Sequence, residues 1–441
     1  MRTLILNGLR AGNEPAERLA AILEAELQAA GHEVNHIVVR EQKIGNCAGD
    51  FYCWVRTPGM CNTDDDNRRI AAAVIASDLV VYLTPVTFGG YSSDFKRAQD
   101  HLIQNISPFF TVINGEVHHQ KRYPRYADLL AIGWMEAPDA QAEAIFRNLV
   151  ARNSLNMYPS VSVTGIATAG QSEADLHIAV QGWLADWQAG KTTPNPGLQP
   201  DETIELDQRP MHTAALLIGS PRGENSSSHT LGDYLLGELQ QRGMQIEKYF
   251  IYTTLNNPER MEALYAALDT ADLVILAAPL YVDSLPAPTI EMLERIATRR
   301  AGRTTTQRFV AISNCGFPES FHITTSLAIC ARFALEAGFQ WAGGLAVGGG
   351  DYLHGKSLIE LGSRVTPITQ ALIKAAEALA AGEAIPQAAH DLLARHTVPT
   401  WLYRVFGNTG WKPSARQYGA EKHLRDTPYE VLTEPPSGNP R

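Results

Sequence analysis

Between Gly219 and Ser228 the chain reads Gly-Ser-Pro-Arg-Gly-Glu-Asn-Ser-Ser-Ser. Gly219 permits a sharp turn, since it has no Cβ to clash. Ser220, Ser226, Ser227 and Ser228 offer hydroxyls, Asn225 an amide and Arg222 a cationic fork. An apolar run precedes the segment and an amphipathic run follows it, so it sits where a helix begins. Backbone N–H groups there lack partners and the helix dipole is positive, which favours a phosphate. A Ser-rich helix cap is the plainer reading of the same residues. The spacings of a Walker loop and of a dinucleotide fingerprint are both absent. An earlier segment, Asn7 to Ala16, holds the same place after an apolar run but has no hydroxyls. Arg10 and the backbone amides remain there, and Glu14 would repel phosphate.

These segments need elements to position them. Apolar runs at Thr3–Asn7, Glu33–Val39, Leu79–Leu83, Ala127–Ile132 and Val161–Ile166 alternate with helical patterns such as Pro15–Ala30 and Asp66–Ala76. The pattern restarts at Ala214–Ile218, Ile246–Tyr252, Leu273–Ala277, Phe309–Ser313 and Phe339–Val347. A helix over Thr230–Arg242 places Leu231, Leu235 and Leu239 on one face. Alternation of this kind predicts right-handed crossovers and parallel sheets. The expected fold is α/β, with two tandem doubly wound domains, each a five-stranded parallel sheet. The first spans 1–191, a Pro-rich linker 192–210, the second 211–385 and a C-terminal extension 386–441. Ligands of such sheets lie outside the carboxyl ends of the strands.

The loops at those ends carry a family resemblance. Gly-Ser-Pro-Arg with the following Asn-Ser resembles the phosphate loop of flavodoxin-like NAD(P)H-dependent FMN reductases. Ala278 to Pro288 resembles that family's Pro-x-Tyr loop, and Asn314-Cys315-Gly316 lies where the family again meets flavin. The resemblance implies FMN held by Ser220, Arg222, Asn225, Ser226, Ser227 and Ser228, with its ring along Pro279, Leu280, Tyr281 and Val282. Asn314, Cys315 and Gly316 would complete that site. In the first half, Thr84 to Lys96 resembles the flavin loop of flavodoxin-family oxidoreductases related to iron–sulfur flavoproteins, as does Phe109 to Tyr123. A second flavin site would then use Arg10, Pro85, Val86, Thr87, Phe88 and Gly89. Cys47, Cys53 and Cys61 lie where those relatives carry C-x2-C-x2-C and a further Cys, but Asp50 stands at the second position. Cubane clusters need four thiolates, so no cluster and no other metal is expected. The pair His118-His119 would point to opposite faces of a strand.

Composition limits what else the chain does. With Lys+Arg 37 against Asp+Glu 47 and a net charge of -10, it shows no basic excess for nucleic acid. The tight basic cluster Arg299, Arg300 and Arg303 reads as a helix C-terminus. No apolar run is long enough to span a membrane. Five cysteines without a secretory signal point to the cytoplasm. The expected activity is an FMN-dependent oxidoreductase passing electrons from NAD(P)H through flavin to a quinone, free flavin or other small acceptor. No acid–base side chain is required, because the cofactor carries the chemistry. A flavodoxin-like electron carrier and a flavin-free binding or assembly protein are the alternatives. A second copy of the chain is a further candidate partner.

Overall fold

In the computed structural model, residues 1–198, 206, 209–353, 355–395 and 399–430 are described. Pro200 of the expected linker, and the C-terminal extension from 431, lie outside the described residues. The chain divides into two units. One comprises Met1–Asn46, Phe51–Gly197 and the chain from Arg404; the other comprises Cys47–Asp50 and Leu198–Tyr403. The segment expected as a C-terminal extension is therefore shared between the two.

In the first unit, β1 (Arg2–Asn7), β2 (Glu33–Val38), β3 (Leu79–Thr87), β7 (Asp128–Met135) and β8 (Ser162–Thr168) form a parallel sheet. Their order is β2-β1-β3-β7-β8, and a short β4 (Gly90–Tyr91) folds back antiparallel onto β3. Both faces are covered, so the strands read as continuous apolar runs yet still alternate. Leu4, Val80, Tyr82 and Leu129 face Ile70 of the helix Asp66–Ala76 and Leu149 of the helix Ala140–Met157. Ile5, Val81, Leu83 and Ile132 face Leu19 and Leu23 of the helix Glu14–Ala29 and Val180 of the helix Glu173–Gln188. An antiparallel hairpin, β5 (Ile106–Ile113) with β6 (Glu116–Lys121), is added to this plan. His118 and His119 lie on β6. The His118 ring bonds to Asn156 Oδ1 at 3.0 Å and Glu116 Oε2 at 3.1 Å, whereas His119 packs against Trp54 and Phe110. Trp54 also meets Trp411, and Asn408 Oδ1 accepts the Phe110 N–H at 2.6 Å. The chain from Arg404 thus completes the aromatic cluster of the first unit.

In the second unit, β9 (Thr213–Ile218), β10 (Gln245–Phe250), β11 (Leu273–Pro279), β12 (Arg308–Asn314) and β13 (Gln340–Val347) are all parallel, in the order β10-β9-β11-β12-β13. Leu231, Leu235 and Leu239 of the helix Ser227–Gln241 pack on Leu216, Ile218 and Ile275, as their spacing predicts. Ala389 and Leu393, beyond the expected boundary at 385, belong to the same core. Arg300 caps the helix Ala287–Arg299 but is buried, with its guanidinium over the Phe339 ring at 3.9 Å and bonded to Ala337 O at 2.9 Å. The basic cluster does end a helix, as the sequence suggested, and Arg300 is in addition a packed core cation. Among the described residues, no helix is long and apolar enough to cross a membrane.

Both units use one device to start their sheets. Asp78, just before β3, accepts the Arg2 N–H at 2.8 Å and pairs with Arg125 at 2.6 Å. Asp272, just before β11, accepts the His212 and Thr213 N–H groups at 2.9 and 3.1 Å and pairs with Arg209 at 3.3 Å. Burial alone would push both carboxyls up, but these hydrogen bonds and charges outweigh it and hold both below the ordinary value. A depressed folded-state pKa stabilises the fold above the unfolded value, about 3.9, and that contribution is lost as pH falls through the folded value. Urea unfolding of Asp78→Asn and Asp272→Asn should therefore show a loss at neutral pH that vanishes in acid. A loss of the same size at all pH values would contradict it.

Candidate functional site

In the second unit, four loops at the carboxyl ends of β9, β11, β12 and β13 are stitched together by hydrogen bonds. Ser227 Oγ donates to Gly350 O at 2.7 Å, and Ser228 Oγ donates to Asn314 Oδ1 at 2.7 Å. Thr289 Oγ1 donates to Gly219 O at 3.0 Å, and Leu280 N–H donates to Asn314 O at 2.8 Å. Gly219 allows this closeness, because a Cβ there would lie 2.6 Å from Thr289 Oγ1. The structure thus brings together the three loops singled out in the sequence. It adds a fourth, Gly348-Gly349-Gly350 after β13, which sequence reasoning missed. Its signal was the glycine run: a Cβ at Gly350 would stand 2.8 Å from Asn314 Nδ2.

In the loop after β9 most of the hydroxyls are turned to the chain itself. Ser226 caps the helix, its Oγ accepting the His229 N–H at 3.1 Å and donating to Gly223 O at 2.6 Å. Ser220 Oγ accepts the Arg222 N–H at 3.3 Å. With Ser227 and Ser228 also engaged, the hydroxyls order the loop. The sequence suggested that they would face the ligand. What stays open is the backbone: the N–H groups of Ser226, Ser227 and Ser228 have no partner among the described residues. Arg222 and Asn225 are exposed, and nothing among the described residues engages the Arg222 guanidinium. Successive free N–H groups at the start of a fifteen-residue helix, with a free cation beside them, suit a phosphate dianion.

The loop after β11 is a tight reversal. Tyr281 and Ser284 exchange backbone hydrogen bonds at 2.8 and 3.1 Å around Val282 (φ 47°) and Asp283 (φ 60°). Two successive positive φ values mark a type I′-like turn, and a β-branched residue is rarely found there. Such strain costs about 1–3 kcal/mol and gathers at ligand clamps. Pro279, Leu280, Tyr281 and Val282 keep partial exposure, and Gly49, grouped with this unit, lies against the Tyr281 hydroxyl. Asn314 and Cys315 are buried and Gly316 is partly exposed. Cys315 Sγ lies 3.4 Å from Phe317 O, so it is a packing thiol here.

The first unit repeats the turn but not the anion loop. Phe88 (φ 52°) and Gly89 (φ 79°) join β3 to β4, placing Pro85, Val86 and Thr87 at the end of β3. In the loop after β1, side chains engage three of the N–H groups. Asn7 Oδ1 accepts the Leu9 N–H at 3.0 Å, Glu17 accepts the Gly12 N–H at 3.0 Å and Asn13 accepts the Ala16 N–H at 3.2 Å. Glu136 bonds to the Asn13 amide at 2.8 Å, bringing a second carboxylate. Pro15 removes a further donor at the position equivalent to Ser228. Arg10 is exposed.

The family described as NADPH-dependent FMN reductase matches residues 1–121 and 212–323, just over half the chain and both units. No curated protein matches. Among solved structures, a flavone reductase is similar at 11% identity over 41% of this chain and 70% of its own, with a TM-score of 0.31. An NAD(P)H:quinone oxidoreductase from Methanothermobacter marburgensis is 17% identical over 38% of this chain and 99% of its own, with a TM-score of 0.30. An FMN-dependent NADH-azoreductase from Bacillus anthracis, in complex with FMN, is 13% identical over 38% and 100%, also at 0.30.

Proposed function

This chain belongs to the NADPH-dependent FMN reductase family, and from that premise we propose that its second unit holds the working flavin. The observation that carries the reading is the run of unpartnered N–H groups at Ser226, Ser227 and Ser228 beside the free Arg222. These groups would bind the FMN phosphate. Pro279, Leu280, Tyr281 and Val282 would line one edge of the isoalloxazine, and Asn314, Cys315 and Gly316 a second. The strained turn at Val282–Asp283 would hold backbone polar groups in place before the ring arrives, which lowers the ordering cost of binding. Bound FMN supplies hydride acceptance from NAD(P)H and onward transfer of electrons. The chain's own part is to bind, orient and limit access of water. The acceptor would be a quinone, a free flavin or another small molecule. In the first unit the two carboxylates, and Pro15 in place of a donor, argue against a tight phosphate site. Five free cysteines among the described residues suit a reducing cytoplasm.

The test is anaerobic titration of the FMN-loaded chain with NADPH or NADH. Stoichiometric bleaching of the yellow flavin is expected. Flavin that stays oxidised with both donors would favour an electron carrier. Protein that takes up no FMN would favour a flavin-free binding role.

A further inference from the structure

The first unit also contains a nucleophile–base arrangement. Cys61 Sγ lies 3.5 Å from His101 Nδ1, and His101 Nε2 lies 2.9 Å from Gly45 O. A carbonyl oxygen can only accept, so Nε2 carries a proton. In the neutral ring Nδ1 is then a lone pair facing the thiol, placed to take its proton. A nucleophile within reach of a base, itself oriented by a third group, is the usual geometry of an activated thiol. Every part is held. Asp65 accepts the Gly45 N–H at 2.8 Å, Gln104 accepts the Cys61 N–H at 2.8 Å, and Arg68 donates to Cys61 O at 2.8 Å. His101 is 4% exposed, whereas Cys61 keeps partial access to solvent.

We propose that Cys61 is a reactive thiolate paired with the His101 imidazolium, and that it is a modification site for hydrogen peroxide. The sulfur attacks one peroxide oxygen, an S–O bond forms and the O–O bond breaks. The sulfur loses two electrons to the peroxide, and the departing hydroxide takes the His101 proton to leave as water. The products are a Cys61 sulfenic acid, in equilibrium with its anion, and neutral His101.

The electrostatics agree. Burial alone would push the Cys61 thiol up, but the hydrogen bond and charge of His101 outweigh it, and the thiol lies below its ordinary value. His101 is raised in turn by Cys61 and Gly45 O, against the effect of its burial. Asp65 opposes the thiolate and Asp100 favours the imidazolium, and the Arg68 guanidinium and the Tyr429 hydroxyl are the further titratable groups that interact with Cys61.

The test is iodoacetamide labelling of the native full-length chain across pH, read peptide by peptide by mass spectrometry. Thiolate nucleophilicity falls with basicity, with a slope of about 0.4–0.5, so the rate at one pH is a weak readout and the pH midpoint decides. Cys61 should label with a midpoint below that of a free thiol, about 8.5, and His101→Gln should move it upward. After equimolar peroxide, dimedone should mark Cys61 but not buried Cys53 or Cys330. A wild-type midpoint at or above the free-thiol value overturns the proposal even if His101→Gln does not fold. An unmoved midpoint in that variant, or no dimedone adduct at Cys61, overturns it as well.

Discussion

Arg222→Glu combined with Ser226→Ala is expected to weaken FMN binding by at least about tenfold. A charge-assisted hydrogen bond to phosphate contributes about 1.5–3 kcal/mol, and each 1.4 kcal/mol is a factor of about ten. The glutamate adds repulsion to that loss. Ser226→Ala acts differently: it removes the helix cap seen in its bond from the His229 N–H, worth about 1 kcal/mol, and loosens the N–H groups that would meet the phosphate. Arg10→Glu in the first unit is the matched control and should leave affinity unchanged, because the Glu17 and Glu136 carboxylates already set that loop against an anion. Quenching of FMN fluorescence on titration measures both variants. Unchanged affinity in the double variant would remove the second unit's loop as the phosphate site. A loss caused by Arg10→Glu would reverse the ranking of the two units.

Lys96→Met should be the most destabilising single substitution in the first unit's segment Thr84–Lys96. Lys96 and Asp100, one turn apart on the helix Ser93–Asp100, form an ion pair with side chains 0% and 1% exposed. Removing one member of a buried pair strips the other of its adjacent opposite charge, at a cost of up to about 3–5 kcal/mol. Replacing both, as Lys96→Met with Asp100→Leu, should recover much of that loss, since the desolvation cost of the pair disappears with it. Urea unfolding followed by tryptophan fluorescence reads the effect, because Trp54, Trp134 and Trp187 are buried in this unit. A loss below about 1 kcal/mol in the single variant, the level of an exposed pair, would show that the carboxylate is relieved elsewhere.

Much of the architecture was legible in the chain itself. Apolar runs such as Leu79–Leu83 and Leu273–Ala277 are strands because a sheet covered on both faces needs apolar residues at every position. Their alternation with helical repeats implies parallel crossovers, and the order β2-β1-β3-β7-β8 and its counterpart in the second unit follow that plan. The Ser-rich loop after β9 could be placed because Gly219, Arg222 and the serines act locally, within one turn of a helix start. The repeated Asp-Leu-Val at Asp78 and Asp272 was equally visible, but its meaning was not, since its partners lie at the starts of other strands.

Tertiary structure decided the rest, wherever a group's role depends on what distant chain brings to it. Sequence identified hydroxyls near a phosphate; only packing shows Ser227 and Ser228 turned to Gly350 and Asn314, leaving the N–H groups open. Glu14 was the carboxylate suspected of spoiling the first loop, but the carboxylates that do bond there are Glu17 and Glu136, the latter more than a hundred residues away. Cys61 looked like one of three ordinary thiols until the fold set His101 beside it, with Asp65 and Gly45 behind. Propensity and periodicity act over a few residues and so fix strands, helices and turns. Hydrogen-bond partners and burial are set by contacts between distant segments, and those exist only once the sheets have formed.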